Sequence, residues 1–207
     1  MDYLWFFLAC LCGYLLGSIP FALVIGKVFY HKDIRQYGSG NPGGTNAGRV
    51  LGKKAGVSVI ALDALKVVLA IFIGSLVSNP CAMLAGFMTC VGHCYPIFAH
   101  FKGGKAVASM FGFLLGITIF VFKNPFYIIV PLLMFFIVLY LYKWVSVASI
   151  CAAVSSSLQI MSMGWSTDLE HILVIVFSWL LTLLVIYRHR TNIVKVRQNK
   201  ESRITWL

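Results

Sequence analysis

Nine consecutive residues, Gly38-Ser39-Gly40-Asn41-Pro42-Gly43-Gly44-Thr45-Asn46, interrupt a chain that is otherwise 60% hydrophobic. No packed helix or strand needs such a run. Small residues let backbone N–H groups come close to a ligand, and Ser and Asn side chains add polar contacts. Arg49, Lys53 and Lys54 follow directly, so the expected ligand is an anion. A guanidinium such as Arg49 takes a phosphate bidentately, while lysines act as point charges. The run is not a Walker A loop, because Gly-x4-Gly-Lys-Ser/Thr is absent. Its candidate ligand groups are Ser39, Gly40, Asn41, Gly43, Asn46 and Arg49.

A second constellation is Gly92-His93-Cys94-Tyr95-Pro96 through Phe101-Lys102-Gly103-Gly104-Lys105-Ala106. An apolar stretch ends there and another begins just after Lys105. Gly103 and Gly104 are therefore expected at a helix N-terminus, where free N–H groups favour an anion, with Lys102 and Lys105 flanking them. A tight turn with snorkelling lysines is the plainer alternative. A third constellation, Tyr187-Arg188-His189-Arg190-Thr191-Asn192, closes the last apolar stretch. In a continuing helix His189 and Asn192 share a face, and His189 is a candidate proton acceptor or phosphate ligand. A basic interfacial anchor is the alternative. Ser146 and Ser149 follow Lys143 and are candidate anion donors or helix caps.

Other reactive side chains read as structural. Asp63 and Lys66 lie three residues apart inside an apolar stretch, where ionisable groups are costly, and are expected to pair. Cys90, His93 and Cys94 lack an accompanying carboxylate or second Cys/His pair, so no metal site is expected, and no cofactor. The six cysteines suggest no disulfide framework.

The elements that must position these groups are membrane helices. Only 11% of the residues are charged, against about 25% in soluble domains. A net charge of +11 on so apolar a chain argues for membrane topology and against a nucleic-acid-binding domain. Apolar runs predict spans at about Tyr3–Ile25, Ala55–Val77, Cys81–Ala99, Ala106–Phe122, Phe126–Tyr142, Val145–Met163 and His171–Tyr187. Placing the N-terminus outside gathers nearly all cations on the inner side. Lys123 alone falls outside, where Asp168 and Glu170 make the last loop acidic. Asp2 is the only early charge, so the first span reads as an uncleaved helix. The expectation is an all-α membrane protein of about seven transmembrane helices, N-terminus outside and C-terminus cytoplasmic, with residues 1–207 as one integral-membrane unit.

Together these motifs resemble the bacterial integral-membrane acyl-phosphate:glycerol-3-phosphate acyltransferases, the PlsY family. The resemblance runs through Gly17-Ser18-Ile19-Pro20, the block from Ser39 to Lys54, Leu62-Asp63-Ala64-Leu65-Lys66, Gly92-His93, Phe101 to Lys105, Val145 to Ser149 and Arg188 to Ile193. It implies transfer of a fatty acyl group from acyl phosphate to the 1-position of glycerol-3-phosphate, giving lysophosphatidate and inorganic phosphate for phospholipid synthesis. It implies membrane lipids as surroundings and a peripheral phosphate acyltransferase as source of the donor. The implied location is the bacterial cytoplasmic (inner) membrane with the active site facing the cytoplasm.

The residues accommodate that chemistry. Two phosphate-bearing substrates need two anion sites, and an acyl phosphate is already activated, which leaves positioning, charge neutralisation and proton removal. Catalytic candidates are Ser39, Arg49, Lys105, His189 and Asn192. Phosphate-binding candidates are Gly40, Asn41, Gly43, Asn46, Lys102, Gly103, Gly104 and Ser146. Glycerol-3-phosphate is assigned to the Lys102–Lys105 loop. The proton goes to His189 or to the donor's own phosphate, and an acyl-Ser39 intermediate is a further option. Ala106 stands where the family usually has Gly and is expected in a helical first turn, where Ala is harmless. Glu201 lies in a tail that departs from the family pattern and is given no role. A transporter of phosphate or an organophosphate is the rival function, suggested by Asp63 and Lys66.

Overall fold

The computed structural model describes residues 2–163 and 168–204. Ten α-helices are found among them: α1 (Asp2–Gly17), α2 (Phe21–Tyr30), α3 (Gly44–Leu51), α4 (Lys53–Ser75), α5 (Asn79–Cys94), α6 (Val107–Phe120), α7 (Phe126–Tyr142), α8 (Val145–Met163), α9 (Leu169–Arg188) and α10 (Arg190–Arg197). No strand occurs among the described residues. Five stretches are long and apolar enough to cross a membrane: Tyr3–Tyr30, Lys53–Ser75, Asn79–Ala99, Val145–Met163 and Leu169–Arg188. The other two expected spans, α6 and α7, are apolar helices of 14 and 17 residues. At 1.5 Å per residue these reach roughly 21 and 26 Å, short of a hydrocarbon core of about 30 Å. Residues 164–167, in the expected acidic outer loop, lie outside the described residues.

Close helix packing rests on small side chains. A Cβ on Gly13 or Gly17 of α1 would collide with the backbone of Ala85 or Thr89 on α5, and one on Gly112 of α6 with Ala64 of α4. Lipid offers little hydrophobic drive for helices to associate, so this backbone proximity, with its dispersion contacts, holds the bundle together. Around it Ile71, Met83, Met110, Phe113, Leu114, Ile117 and Leu181 form a fully buried core drawn from α4, α5, α6 and α9.

Three local expectations are corrected. The first span is not a continuous helix: it breaks at Ser18-Ile19-Pro20 and resumes as α2. Pro20 has no N–H to continue the ladder and disfavours helix at the residue before it. The glycine-rich run from Gly38 to Asn46, expected to be non-helical, is a loop only as far as Gly43. It passes into α3, which packs on α4 where Gly48 meets Gly56, and Gly52 at φ 100° makes the turn between them.

Ala106 is not in a helical first turn either. It caps α6 in the left-handed conformation, φ 58° and ψ 15°, and is fully buried. A Cβ there is strained by about 1 kcal/mol. Ala106→Gly should therefore raise the thermal unfolding midpoint of the detergent-solubilised protein by about 2–4 °C. A midpoint that stays put or falls would show that this turn is unstrained.

Candidate functional site

A cleft of about 710 Å³ opens at one end of the bundle and is lined by three segments far apart in sequence. The first contributes Arg35, Ser39, Gly40, Asn41 and Pro42; the second Phe101, Lys102, Gly103 and Lys105; the third Arg188, Arg190, Thr191, Asn192 and Lys195. The three constellations read from the sequence thus meet in one place. Arg35, Lys102, Lys105, Arg188, Arg190 and Lys195 line the cleft, and no acidic residue is among its described lining.

The first wall works through side chains rather than a backbone cradle. Asn46 is buried and binds the loop from within: its Nδ2 donates to the carbonyls of Ile34 (3.0 Å) and Tyr37 (3.1 Å), and its Oδ1 accepts the Ser39 N–H (2.9 Å). The N–H of Gly40 goes to Tyr37 O, that of Gly43 to Asn41 O, and that of Asn41 to Ser39 Oγ. With those donors engaged internally, the expected nest of free N–H groups does not form here. Asn46 shapes the loop, and Gly43 caps α3 behind it. Gly38 and Gly40 both adopt positive φ, 61° and 70°, which turns Ser39 outward at the cleft.

Arg35, in the sequence one of the cations gathered on the inner side, joins this wall. Asp33 grips it in a fork, Nη2–Oδ2 2.6 Å and Nε–Oδ1 3.0 Å, and that bond holds the Asp33 carboxyl below its ordinary value. The Asp-x-Arg spacing was the available signal. Arg49 is exposed and does not line the cleft; its charge acts on Lys105 at a distance.

The second wall does offer backbone donors. Arg188 ties down the loop carbonyls, Nε to Gly104 O at 2.9 Å and Nη2 to Gly103 O at 2.7 Å, while its guanidinium lies 5.3 Å from the Tyr95 ring. The Gly104 N–H is taken by His93 O at 3.0 Å, whereas those of Gly103 and Lys105 have no acceptor among the described residues. α6 begins only at Val107, so the two glycines precede its cap instead of forming its first turn.

Lys105 donates through Nζ to Asn192 Oδ1, and Asn192 Nδ2 donates to Glu201 Oε1 at 2.7 Å. The buried Ser146 also donates to Glu201 Oε1, at 2.8 Å, so Ser146 supports the site through that carboxylate. Glu201, given no role from the sequence, arrives because the tail folds back: Ile204 N–H donates to Lys143 O at 2.9 Å and Arg203 lies over the Trp144 ring. Nothing in residue spacing forecasts that return. Burial, ahead of the repulsion of Lys195, Arg188 and Arg49, lowers the Lys105 pKa to about 8, although Glu201 opposes the shift.

His189 sits at the junction of α9 and α10 and is 3% exposed. Its Nδ1 lies 2.8 Å from Val185 O, which can only accept, so Nδ1 carries the proton. Burial pulls its pKa down to about 4, with Lys105 and Arg188 adding to the shift. At neutral pH it is an uncharged and weakly basic imidazole that does not line the cleft. His93, one of the residues weighed for a metal, instead faces Asp63 and Lys66 at 3.3 and 3.2 Å.

The family model for glycerol-3-phosphate acyltransferase matches residues 7–199. A glycerol-3-phosphate acyltransferase of Staphylococcus haemolyticus is 40% identical over 205 residues, covering 94% of this chain and 96% of that protein. One from Staphylococcus aureus is 37% identical over 209 residues, with 95% and 96% covered. The crystal structure of PlsY (YgiH), an integral membrane glycerol 3-phosphate acyltransferase, in its glycerol 3-phosphate form superposes with a TM-score of 0.86 at 33% identity. That match covers 97% of this chain and 96% of that one.

The Lys105 pKa of about 8 sets a pH limit on anion binding. Only the ammonium attracts a phosphate, so affinity is full below that pH and is lost as pH rises through it. A phosphate monoester is already doubly ionised there, and the weakly basic His189 changes no charge in that range. Calorimetric titration with glycerol-3-phosphate should show affinity falling by up to about ten-fold per pH unit above pH 8. Lys105→Arg should abolish that decline up to about pH 10. A parent protein whose affinity stays flat through the same range would contradict the assignment.

Proposed function

The chain belongs to the glycerol-3-phosphate acyltransferase family, and from that premise we propose that it moves a fatty acyl group from acyl phosphate to the 1-position of glycerol-3-phosphate. The products are lysophosphatidate and inorganic phosphate. One observation supports this reading above the others: three basic segments converge on a single cleft with no acidic residue in its described lining. Such a cleft suits two phosphate-bearing substrates held side by side.

In this reading Lys102, Lys105 and the free N–H groups of Gly103 and Lys105 take the phosphate of glycerol-3-phosphate. Arg35, Ser39 and Asn41 take the phosphate of the donor, whose fatty tail stays among the helices. Asn192 holds Lys105 in place, Arg188 fixes the glycine backbone, and Asn46 fixes the opposite loop. The 1-hydroxyl oxygen attacks the acyl carbonyl carbon, a C–O ester bond forms, and the bond from that carbon to the phosphate oxygen breaks. The departing phosphate accepts the hydroxyl proton, because His189 is too weak a base and stands outside the cleft lining. Cations already in place stabilise the charge that moves onto the leaving phosphate.

Residues 1–207 form one unit of about seven membrane helices, N-terminus outside and C-terminus cytoplasmic, in a bacterial inner membrane. The cleft faces the cytoplasm, where a peripheral phosphate acyltransferase delivers the donor. Cation asymmetry supports this orientation.

Purified protein in vesicles tests the reaction. Lysophosphatidate formed from acyl phosphate and glycerol-3-phosphate is the expected result, and phosphate flux without that product would favour the transporter instead. In the same assay Lys105→Ala should raise the KM for glycerol-3-phosphate by at least about ten-fold, the worth of a charge-assisted hydrogen bond. An unchanged KM would remove that phosphate from the Lys105 loop.

A further inference from the structure

Asp63, Lys66 and His93 form a buried cluster that takes no part in the chemistry above. Lys66 Nζ lies 2.8 Å from Asp63 Oδ1, 3.2 Å from His93 Nδ1, and 3.0 Å from each of the carbonyls of Gly17 and Ile19 at the α1–α2 break. His93 Nδ1 is also 3.3 Å from Asp63 Oδ1. A bare Nδ1 accepts from the Lys66 ammonium, with the Asp63 carboxylate beside it at ion-pair distance. The ring orientation is therefore fixed by two groups of α4.

The other side of His93 bears on the phosphate loop. Its carbonyl accepts the Gly104 N–H, and a Cβ on Gly104 would run into its Nε2. A Cβ on Gly103 would strike the His93 carbonyl and Pro96. The loop is thus laid directly on the ring and backbone of one residue.

We propose that His93 is a positioning residue for glycerol-3-phosphate, its ring held by Asp63 and Lys66 and setting the height and direction of Gly103-Gly104-Lys105. This rests on the reading of that loop as the glycerol-3-phosphate phosphate site. A buried ion pair by itself is weak evidence for a gain in stability, and hydrophobic residues of similar volume often serve as well. What the polar cluster adds is a single orientation of the ring beneath the loop. Because Lys66 also binds Gly17 and Ile19, the α1–α2 break is locked to the same point.

The test uses the full chain in lipid nanodiscs. His93→Asn keeps a polar atom near the Nδ1 position for Asp63 and Lys66 but removes the ring beneath Gly104. The KM for glycerol-3-phosphate should rise about ten-fold, as expected for a displaced binding loop, with kcat and the unfolding midpoint little changed. His93→Gln, whose amide reaches toward the Nε2 position, should recover most of that loss. A folded His93→Asn protein with unaltered KM overturns the proposal. If that variant does not fold, His93→Phe serves, since it keeps a ring beneath Gly104 but loses the Nδ1 contacts that orient it: raised KM with retained kcat supports the proposal and unchanged KM overturns it. Calorimetric binding of glycerol-3-phosphate to the same variants reads the positioning role without any acyl donor. A wrong donor and a wrong positioning role therefore give different results.

Discussion

Six cationic side chains share the lining of one cleft, and their mutual repulsion is the constraint around which the site is arranged. Two like charges about 4 Å apart repel by roughly 1 kcal/mol in water and by several times that near a protein surface. The fold manages this by giving individual cations fixed partners. Asp33 clamps Arg35, the Gly103 and Gly104 carbonyls clamp Arg188, Arg190 lies 4.5 Å over Tyr187, and Asn192 holds Lys105. Glu201 contributes the counter-charge felt by Lys105, at the end of a tail that must fold back to deliver it. Positive charge held rigidly in this way gains from a bound anion in proportion to the anion's charge, and little reorganisation is needed when the anion arrives.

The same economy of partners operates inside the bundle. In lipid a freed backbone carbonyl must find a donor, and an ammonium must find acceptors. The break at Ser18-Ile19-Pro20 and the buried Lys66 answer each other's need: Gly17 and Ile19 supply carbonyls, and Lys66 supplies protons. Asp63 balances the charge, so the cluster is neutral when His93 is neutral. This closed arrangement also accounts for Asp63 and Lys66 without a transport pathway.

Much of this was legible in the sequence, for definite reasons. Long apolar runs announce membrane helices, and runs of Gly, Ser and Asn beside cations mark the segments that meet at the cleft. The details that escaped depend on tertiary contacts. Asn46 reads as a ligand group but turns inward, since three backbone groups of its own loop are nearer than the cleft. Helix α3 is only eight residues, too short for a periodic signal to separate it from the loop. Ala106 gives no sign of its left-handed backbone, because a residue type that rarely adopts positive φ does so here under the surrounding packing. Glu201 becomes visible once folding sets it beside Ser146, far away in sequence, and Arg35 once its segment is brought to the cleft.

The central claim is that both substrates occupy this cleft together and the acyl group passes directly between them. Initial rates of lysophosphatidate formation, measured while acyl phosphate and glycerol-3-phosphate are varied against each other, address that claim most directly. Double-reciprocal lines that intersect mean that a ternary complex forms before product leaves, which is the result this account predicts. Parallel lines would mean that the acyl group first moves onto the protein and phosphate departs before glycerol-3-phosphate binds, and that would contradict it.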